Sequence, residues 1–238
     1  MSLPVVVLAG GLATRLQPLT ERMPKILIDV AGRPFAEHQV DLLARHHLGD
    51  IIFCVGYLGE QVERTLGDGS RWGMRFRYVS DGPTPLGTGG AVRRAIPMAG
   101  PVFFVMYGDS YLDCDYAAVD AAFRASGADG LMTVFHNEDR WDRSNVQYEH
   151  GRIVRYDKLN RDAAMHHIDY GLGILTDRAF APWAVADGPF DLAEVYQRLI
   201  ADRRLAGFEV PDRFYEIGSP GGLAETRALL SKREGPSS

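Results

Sequence analysis

Cysteine is nearly absent from this 238-residue chain, which carries only Cys54 and Cys114. Two thiols make neither a disulfide framework nor a cysteine metal cluster. Both lie in or beside apolar runs, so reduced thiols in a reducing compartment are expected. A basic excess is missing too: 26 Lys and Arg against 31 Asp and Glu leave a formal net charge of -5. That balance lacks the electrostatic footprint of a nucleic-acid binder, and any phosphate chemistry has to be local. Long apolar runs are lacking. The N-terminal run, residues 5–9, is too short for a membrane span and has no basic residues before it as a signal peptide would. A cytoplasmic protein with no membrane partner is expected. The Walker pattern G-x-x-x-x-G-K-[ST] does not occur, and no G-x-G-x-x-G follows the first apolar run. There is no obvious Ser-His-Asp arrangement, and the seven histidines lack acidic or cysteine partners at metal spacing, reading as helix-end or loop residues.

What is present is a regular alternation. Hydrophobic residues at 46% suffice for a core. Short β-branched or apolar runs at 5–9, 51–55, 74–79 and 102–107 alternate with helical patterns at 35–48, 60–66 and 88–95, the signature of β-α-β units around a largely parallel sheet. A helix is predicted over 116–126, strands over 131–135, 145–148, 153–156 and 170–175, and helices over 191–203 and 219–230, with REGPSS as a frayed tail. Asp191 and Glu194 form a capping-box pattern, preferred to any catalytic role. No repeat or linker divides the chain, so one domain over 1–238, with its core at about 4–232, is expected.

In open parallel sheets ligands bind beyond the carboxyl ends of the strands. Three loops there carry the suggestive residues. The first, GGLATRLQPLTERMPK, sets Gly10 and Gly11 beside Arg15 and Lys25, ten positions apart. Backbone N–H groups exposed by glycine, with two cations on a loop stiffened by Pro18 and Pro24, suit a triphosphate. The second contains LGTGGA, whose Gly87 and Gly89 at a helix N-terminus would let a base or ribose lie against the backbone. Upstream, Asp81 would accept hydrogen bonds from a base edge, or serve only as a turn residue. The third, GDSYLDCD, offers Asp109 as a magnesium ligand. It also spells D-x-D at Asp113 and Asp115, a weak pattern shared with metal-dependent glycosyltransferases.

Together LAGGLATRLQPLTERMPK, PLGTGGA, YGD and FYEIGSP resemble the sugar-1-phosphate nucleotidyltransferases, most closely the short guanylyltransferases acting on heptose or mannose 1-phosphates. The resemblance runs from about Val5 to Leu223. It implies an α/β fold: a Rossmann-like, three-layer α/β/α domain with a mostly parallel sheet, of the nucleotide-diphospho-sugar transferase type. It also implies a Mg2+-dependent reaction between a nucleoside triphosphate and a sugar 1-phosphate, GTP first and UTP next.

By motif, Arg15 grips the triphosphate and Lys25 sits near the α-phosphate. Leu8, Ala9, Gly10, Gly11, Thr14, Asp81, Gly87, Thr88 and Gly89 bind the nucleotide, while Lys158, Asp169, Tyr170 and Gly171 hold the sugar phosphate. The resemblance implies that Asp109 and Glu216 bind the metal. The chain departs from the pattern at Ala13, where glycine is commonest, at Asp169, where asparagine is usual, and at Glu216, one methylene longer than aspartate. A glycosyltransferase using D-x-D, or a nucleotide-sugar binding module that has lost turnover, stays open as an alternative. The oligomeric state is open, a homodimer among the options. Trp72, Trp141 and Trp183 read as packing residues, with Trp141 placed to border the sugar.

Overall fold

The computed structural model describes residues 2–11, 14–160, 162–184 and 188–234. In chain order the elements are β1 (Val5–Leu8), β2 (Asp29–Val30), β3 (Arg33–Pro34), α1 (Phe35–Arg45), β4 (Asp50–Val55), α2 (Gly59–Leu66) and β5 (Arg75–Ser80). There follow α3 (Gly87–Ala99), β6 (Val102–Tyr107), β7 (Ser110–Tyr111), α4 (Tyr116–Ser126), β8 (Gly130–His136), β9 (Val146–Glu149) and β10 (Arg152–Tyr156). The chain closes with β11 (His167–Thr176), α5 (Leu192–Ala201), β12 (Leu205–Glu209), β13 (Tyr215–Glu216) and α6 (Pro220–Glu234).

Nine strands form one sheet in the order β5-β4-β1-β6-β11-β8-β12-β10-β9. The pairings of β5, β4, β1 and β6 are all parallel, β11 runs antiparallel between β6 and β8, and β10 is antiparallel to its neighbours. Seven of the nine strands therefore point the same way. The sheet is buried on both faces, which is why its strands read as continuous apolar runs. Along β1, Val5 and Val7 pack into one core with Val40 and Leu43 of α1, Val62 of α2 and Val119 of α4. Val6 points into a second core with Val92 and Ala95 of α3 and Val195 and Leu199 of α5. A third, smaller core joins Leu16, Ile28 and Phe35 to Leu223 and Leu230 of α6.

The predicted elements recur with ends shifted by a few residues, and the mostly parallel α/β architecture is confirmed. β12 was missed. Its LAGFE carries Gly207 mid-strand, where a Cβ would stand 2.6 Å from the Tyr148 ring, so close packing of β9 and β10 replaces the usual β-branched signal. The frayed tail also needs correction. Arg233 belongs to α6 and pairs with Asp113, while residues 235–238 lie outside the described residues. Three histidines are neither helix-end nor loop residues: His38 lies within α1, its Nε2 2.7 Å from the Val30 carbonyl, His136 closes β8 and His167 opens β11.

Candidate active site

β1 lies between β4 and β6, with the chain winding outward to β5 on one side before returning to the other. That is a topological switch point, where loops separate and leave a crevice. Glycines let the loops meet there. A Cβ on Gly10 would lie 3.2 Å from the Gly56 nitrogen, and one on Gly56 would lie 2.7 Å from the Gly10 carbonyl oxygen. Gly108 lies equally close to β1, its Cβ position 2.6 Å from the Leu8 carbonyl oxygen. Gly10 is thus needed for backbone contact between two loops, whereas Gly11 faces open space. Gly56 carried no motif that would have revealed it.

The crevice has two lobes that share Tyr107 and Asp109. The first, about 310 Å³, is lined by Leu8, Ala9, Gly10, Gly11, Lys25, Asp81, Gly87 and Thr88. The second, about 690 Å³, is lined by Arg15, Trp141, Lys158, Asp169, Tyr170, Gly171, Arg213 and Glu216. Both volumes fall in the range of small-molecule sites. Arg15 and Lys158 thus face the larger lobe and Lys25 the smaller, across the shared Asp109.

Short 3-10 turns aim the first-loop cations. Lys25 opens the turn Lys25–Leu27, anchored by the buried Ile26 and Leu27, and its Nζ lies 2.9 Å from Asp109 Oδ2. Arg15 lies in the turn Thr14–Leu16 beside the buried Leu16. Thr14 belongs to the same turn, and Ala13 lies outside the described residues.

The late FYEIGSP motif joins this cluster because β13 pairs with β7, placing Glu216 opposite Ser110, and because the Ile217 N–H donates to the Asp109 carbonyl. Gly218 marks the meeting point. Its Cβ would stand 2.7 Å from Glu216 Oε2, 3.1 Å from Asp109 Oδ2 and 3.5 Å from Arg15 Nη2. The Glu216 carboxylate also accepts the Gly218 N–H and the Ser219 hydroxyl at the start of α6, a favourable place for an anion. Two hard oxygen donors converging on one point fit a divalent cation that completes its shell with phosphate oxygens and water. Among the described residues no group of three His, Cys, Asp or Glu side chains could hold a metal, so any such ion would depend on substrate oxygens.

Asp81 lies at the end of β5 and lines the first lobe. Burial pushes its carboxyl up, opposed by the Leu86 N–H and the Arg94 charge. The glycines of LGTGGA have a purpose that sequence reading did not find: they admit Phe190. A Cβ on Gly87 would overlap the Phe190 carbonyl and one on Gly89 its ring. Gly87 and Thr88 still line the first lobe, while Gly89 is buried under Phe190. The Thr88 hydroxyl accepts the Leu192 N–H at 2.8 Å.

In the second lobe, Lys158 Nζ lies 3.5 Å from the Tyr107 hydroxyl and 3.6 Å from Asp191 Oδ1. Asp169 is half-buried, accepting the Tyr156 hydroxyl at 2.9 Å and the Gly171 N–H at 3.0 Å. Burial pushes its carboxyl up, and the Lys158 charge is the chief opposing influence. Gly171 has φ 96°, the left-handed region that favours glycine. Tyr170 touches the lobe, but its ring is core, edge-on to Phe214 at 5.7 Å. Arg213, absent from the sequence reading, stacks on Trp141 at 3.5 Å and is held by Glu225 at 2.7 Å, forming the outer wall.

The D-x-D carboxylates are committed elsewhere. Asp113 pairs with Arg233, and Asp115 caps α4 by accepting the Ala118 N–H at 2.9 Å. Neither lines the two lobes, so that motif is structural and the glycosyltransferase alternative loses its basis.

Residues 4–145 match the family model described as nucleotidyl transferase. The chain is 29% identical over 237 residues to N-acetylmuramate alpha-1-phosphate uridylyltransferase of Caulobacter vibrioides, covering 95% of this chain and 96% of that protein. It is 28% identical over 226 residues to the mannose-1-phosphate guanylyltransferase catalytic subunit beta of Xenopus tropicalis, covering 90% of this chain but only 61% of that longer protein. Among solved structures, HddC from Yersinia pseudotuberculosis complexed with GMP-PN superposes with a TM-score of 0.77 at 21% identity, covering 96% of this chain and all of that one.

Proposed function

The chain belongs to the nucleotidyl transferase family, and from that premise we propose that it joins a nucleoside triphosphate to a sugar 1-phosphate, giving a nucleoside-diphosphate sugar and pyrophosphate. The observation that carries this reading is the convergence of Arg15, Lys25, Asp109 and Glu216 where the two lobes meet. Both reactants are anions, so the work lies in overcoming repulsion and holding the attacking and leaving oxygens in line. A phosphate oxygen of the sugar 1-phosphate attacks the α-phosphorus as the bond to the pyrophosphate oxygen breaks. That oxygen is already charged, and no general base is required.

In this reading the first lobe takes the nucleotide, with Gly11 against the phosphates and Asp81 toward the base. Arg15 neutralises the leaving pyrophosphate, Lys25 the α-phosphate, and Lys158 holds the sugar phosphate over the second lobe. Asp109 and Glu216 would hold Mg2+, which supplies charge neutralisation on the phosphate oxygens. An acceptor-only carboxylate at Asp81 matches the adjacent N1–H and amino group of guanine, so GTP ranks first and UTP second. The sugar is a heptose or hexose, and Asp169 accepts its hydroxyls. We place the reaction in the cytoplasm, within nucleotide-sugar and polysaccharide biosynthesis; no helix among the described residues is long and apolar enough to cross a membrane. Four triphosphates incubated with a panel of sugar 1-phosphates, read by pyrophosphate release, test the proposal. No release from any pairing refutes it.

A further inference from the structure

Asp191 and Glu194 form a complete capping box on α5. The Asp191 carboxylate accepts the Ala193 N–H at 2.7 Å, and the Glu194 carboxylate accepts the Asp191 N–H at 2.9 Å. A cap explains those bonds and nothing more. The same Asp191 Oδ1 lies 3.6 Å from Lys158 Nζ, across the second lobe's edge. Lys158 is further confined by two rings, its Nζ 5.6 Å from the Tyr107 centroid and 5.7 Å from the Tyr156 centroid. The backbone beside Asp191 is itself fastened to the first lobe. Phe190 N–H donates to the Leu86 carbonyl at 3.1 Å, Gly89 N–H to the Phe190 carbonyl at 3.0 Å, and Leu192 N–H to the Thr88 hydroxyl at 2.8 Å.

We propose that Asp191 is a positioning residue for the sugar-phosphate lysine: it ties Lys158 to the strap 190–192 and so to the nucleotide-lobe loop 86–89. The proposal rests on the functional reading above and adds to it a residue that touches no substrate. Its physical basis is the freedom of lysine. An unanchored lysine loses much of its side-chain entropy on gripping a phosphate, whereas one already held between a carboxylate and two rings has little left to lose. The strap also sets where that anchor stands, because it is hydrogen-bonded to the loop 86–89, whose Gly87 and Thr88 line the nucleotide lobe.

Asp191→Asn separates the two jobs. Asparagine caps a helix as well as aspartate does, but it carries no charge for Lys158. The variant is expected to keep its melting temperature and its KM for the triphosphate. Its KM for the sugar 1-phosphate should rise about two- to fivefold, the size an ion pair of this exposure supports. In a Lys158→Ala background the same substitution should have no further effect on that KM, because the partner is gone. Asp191→Ala should lose both functions, adding a fall in melting temperature to the KM effect. An unchanged or lowered sugar-phosphate KM in Asp191→Asn overturns the proposal, as do additive effects with Lys158→Ala. Pyrophosphate release by the unaltered chain separates the two levels. If release is normal and the cycle additive, only the role of Asp191 is rejected; if no pairing releases pyrophosphate, the functional reading falls and this proposal falls with it.

Discussion

Replacing Lys25 by methionine keeps the length and apolar stem of the side chain but removes the ammonium that stands 2.9 Å from Asp109 Oδ2. Two consequences of opposite sign should follow. In the proposed reaction, Lys25 would be a fixed cation beside the α-phosphate, meeting the charge that builds as the bond to pyrophosphate breaks. Losing such a preorganised contact costs about 3 kcal/mol, a fall in turnover of roughly a hundredfold. In the nucleotide-free protein, that same ammonium occupies the carboxylate oxygen a divalent cation would need. The pair is fairly shielded, with side chains 17% and 31% exposed, so its worth is near the upper end for surface pairs, about 1 kcal/mol. Removing it should tighten divalent binding about fivefold. Turnover is read from pyrophosphate release, and metal affinity from the electron paramagnetic resonance of free Mn2+ titrated into nucleotide-free protein. Near-normal turnover would reject Lys25 as a catalytic residue. Unchanged or weaker Mn2+ binding would show that ammonium and metal do not compete for Asp109.

Three further outcomes are expected. Asp109→Asn should raise the magnesium concentration for half-maximal activity by about tenfold or more, and an unaltered magnesium titration would exclude it as a ligand. Gly218→Ala would place a methyl group 2.7 Å from Glu216 Oε2 and 3.1 Å from Asp109 Oδ2. Overpacking of that kind costs about 1–3 kcal/mol, so turnover should drop by about tenfold with a modest loss of melting temperature, and full activity would contradict the convergence at Gly218. Asp169 bears on pH. Burial raises its folded-state pKa above the ordinary 3.8, so the folded protein binds that proton more tightly than the unfolded chain. The resulting stability is present below about 3.8 and is lost as pH rises through the raised value. Asp169→Asn lacks this titration, so its melting temperature should gain on the unaltered chain as pH rises from about 4 through the raised pKa, and a pH-independent difference would refute the argument.

Local sequence revealed much of the α/β layering, because burial of both sheet faces demands apolar runs such as VVV and FFV, and helices between them need a 3.6-residue period. Arg15, Lys25 and Asp109 were equally legible as charged residues on loops carrying glycine or proline, whereas Lys158, in a stretch without either, was reached only through the family resemblance. Other assignments depended on contacts between distant segments. Asp113 and Asp115 looked like a metal motif until α6 brought Arg233 to one and α4 took the other as its cap. Gly87 and Gly89 suggested room for a base, yet much of that room belongs to Phe190, a hundred positions on in the chain. Gly56 had no signal of its own, and Gly218 showed only as part of FYEIGSP, since a glycine needed for close approach looks like any turn glycine until its neighbour is known.

Composition and periodicity were enough to specify most of the strands and helices, though not β12 or the two-residue strands, and that the charged loops gather at one edge of a sheet. Those features follow from interactions within a few residues and from the need to bury apolar surface. Only the folded chain could decide that Glu216 stands beside Asp109, that Lys25 rests on the same carboxylate, and that the cap of α5 also holds Lys158. Each of those contacts joins residues far apart in sequence, and their distances are set by strand order and loop packing, which no local pattern encodes.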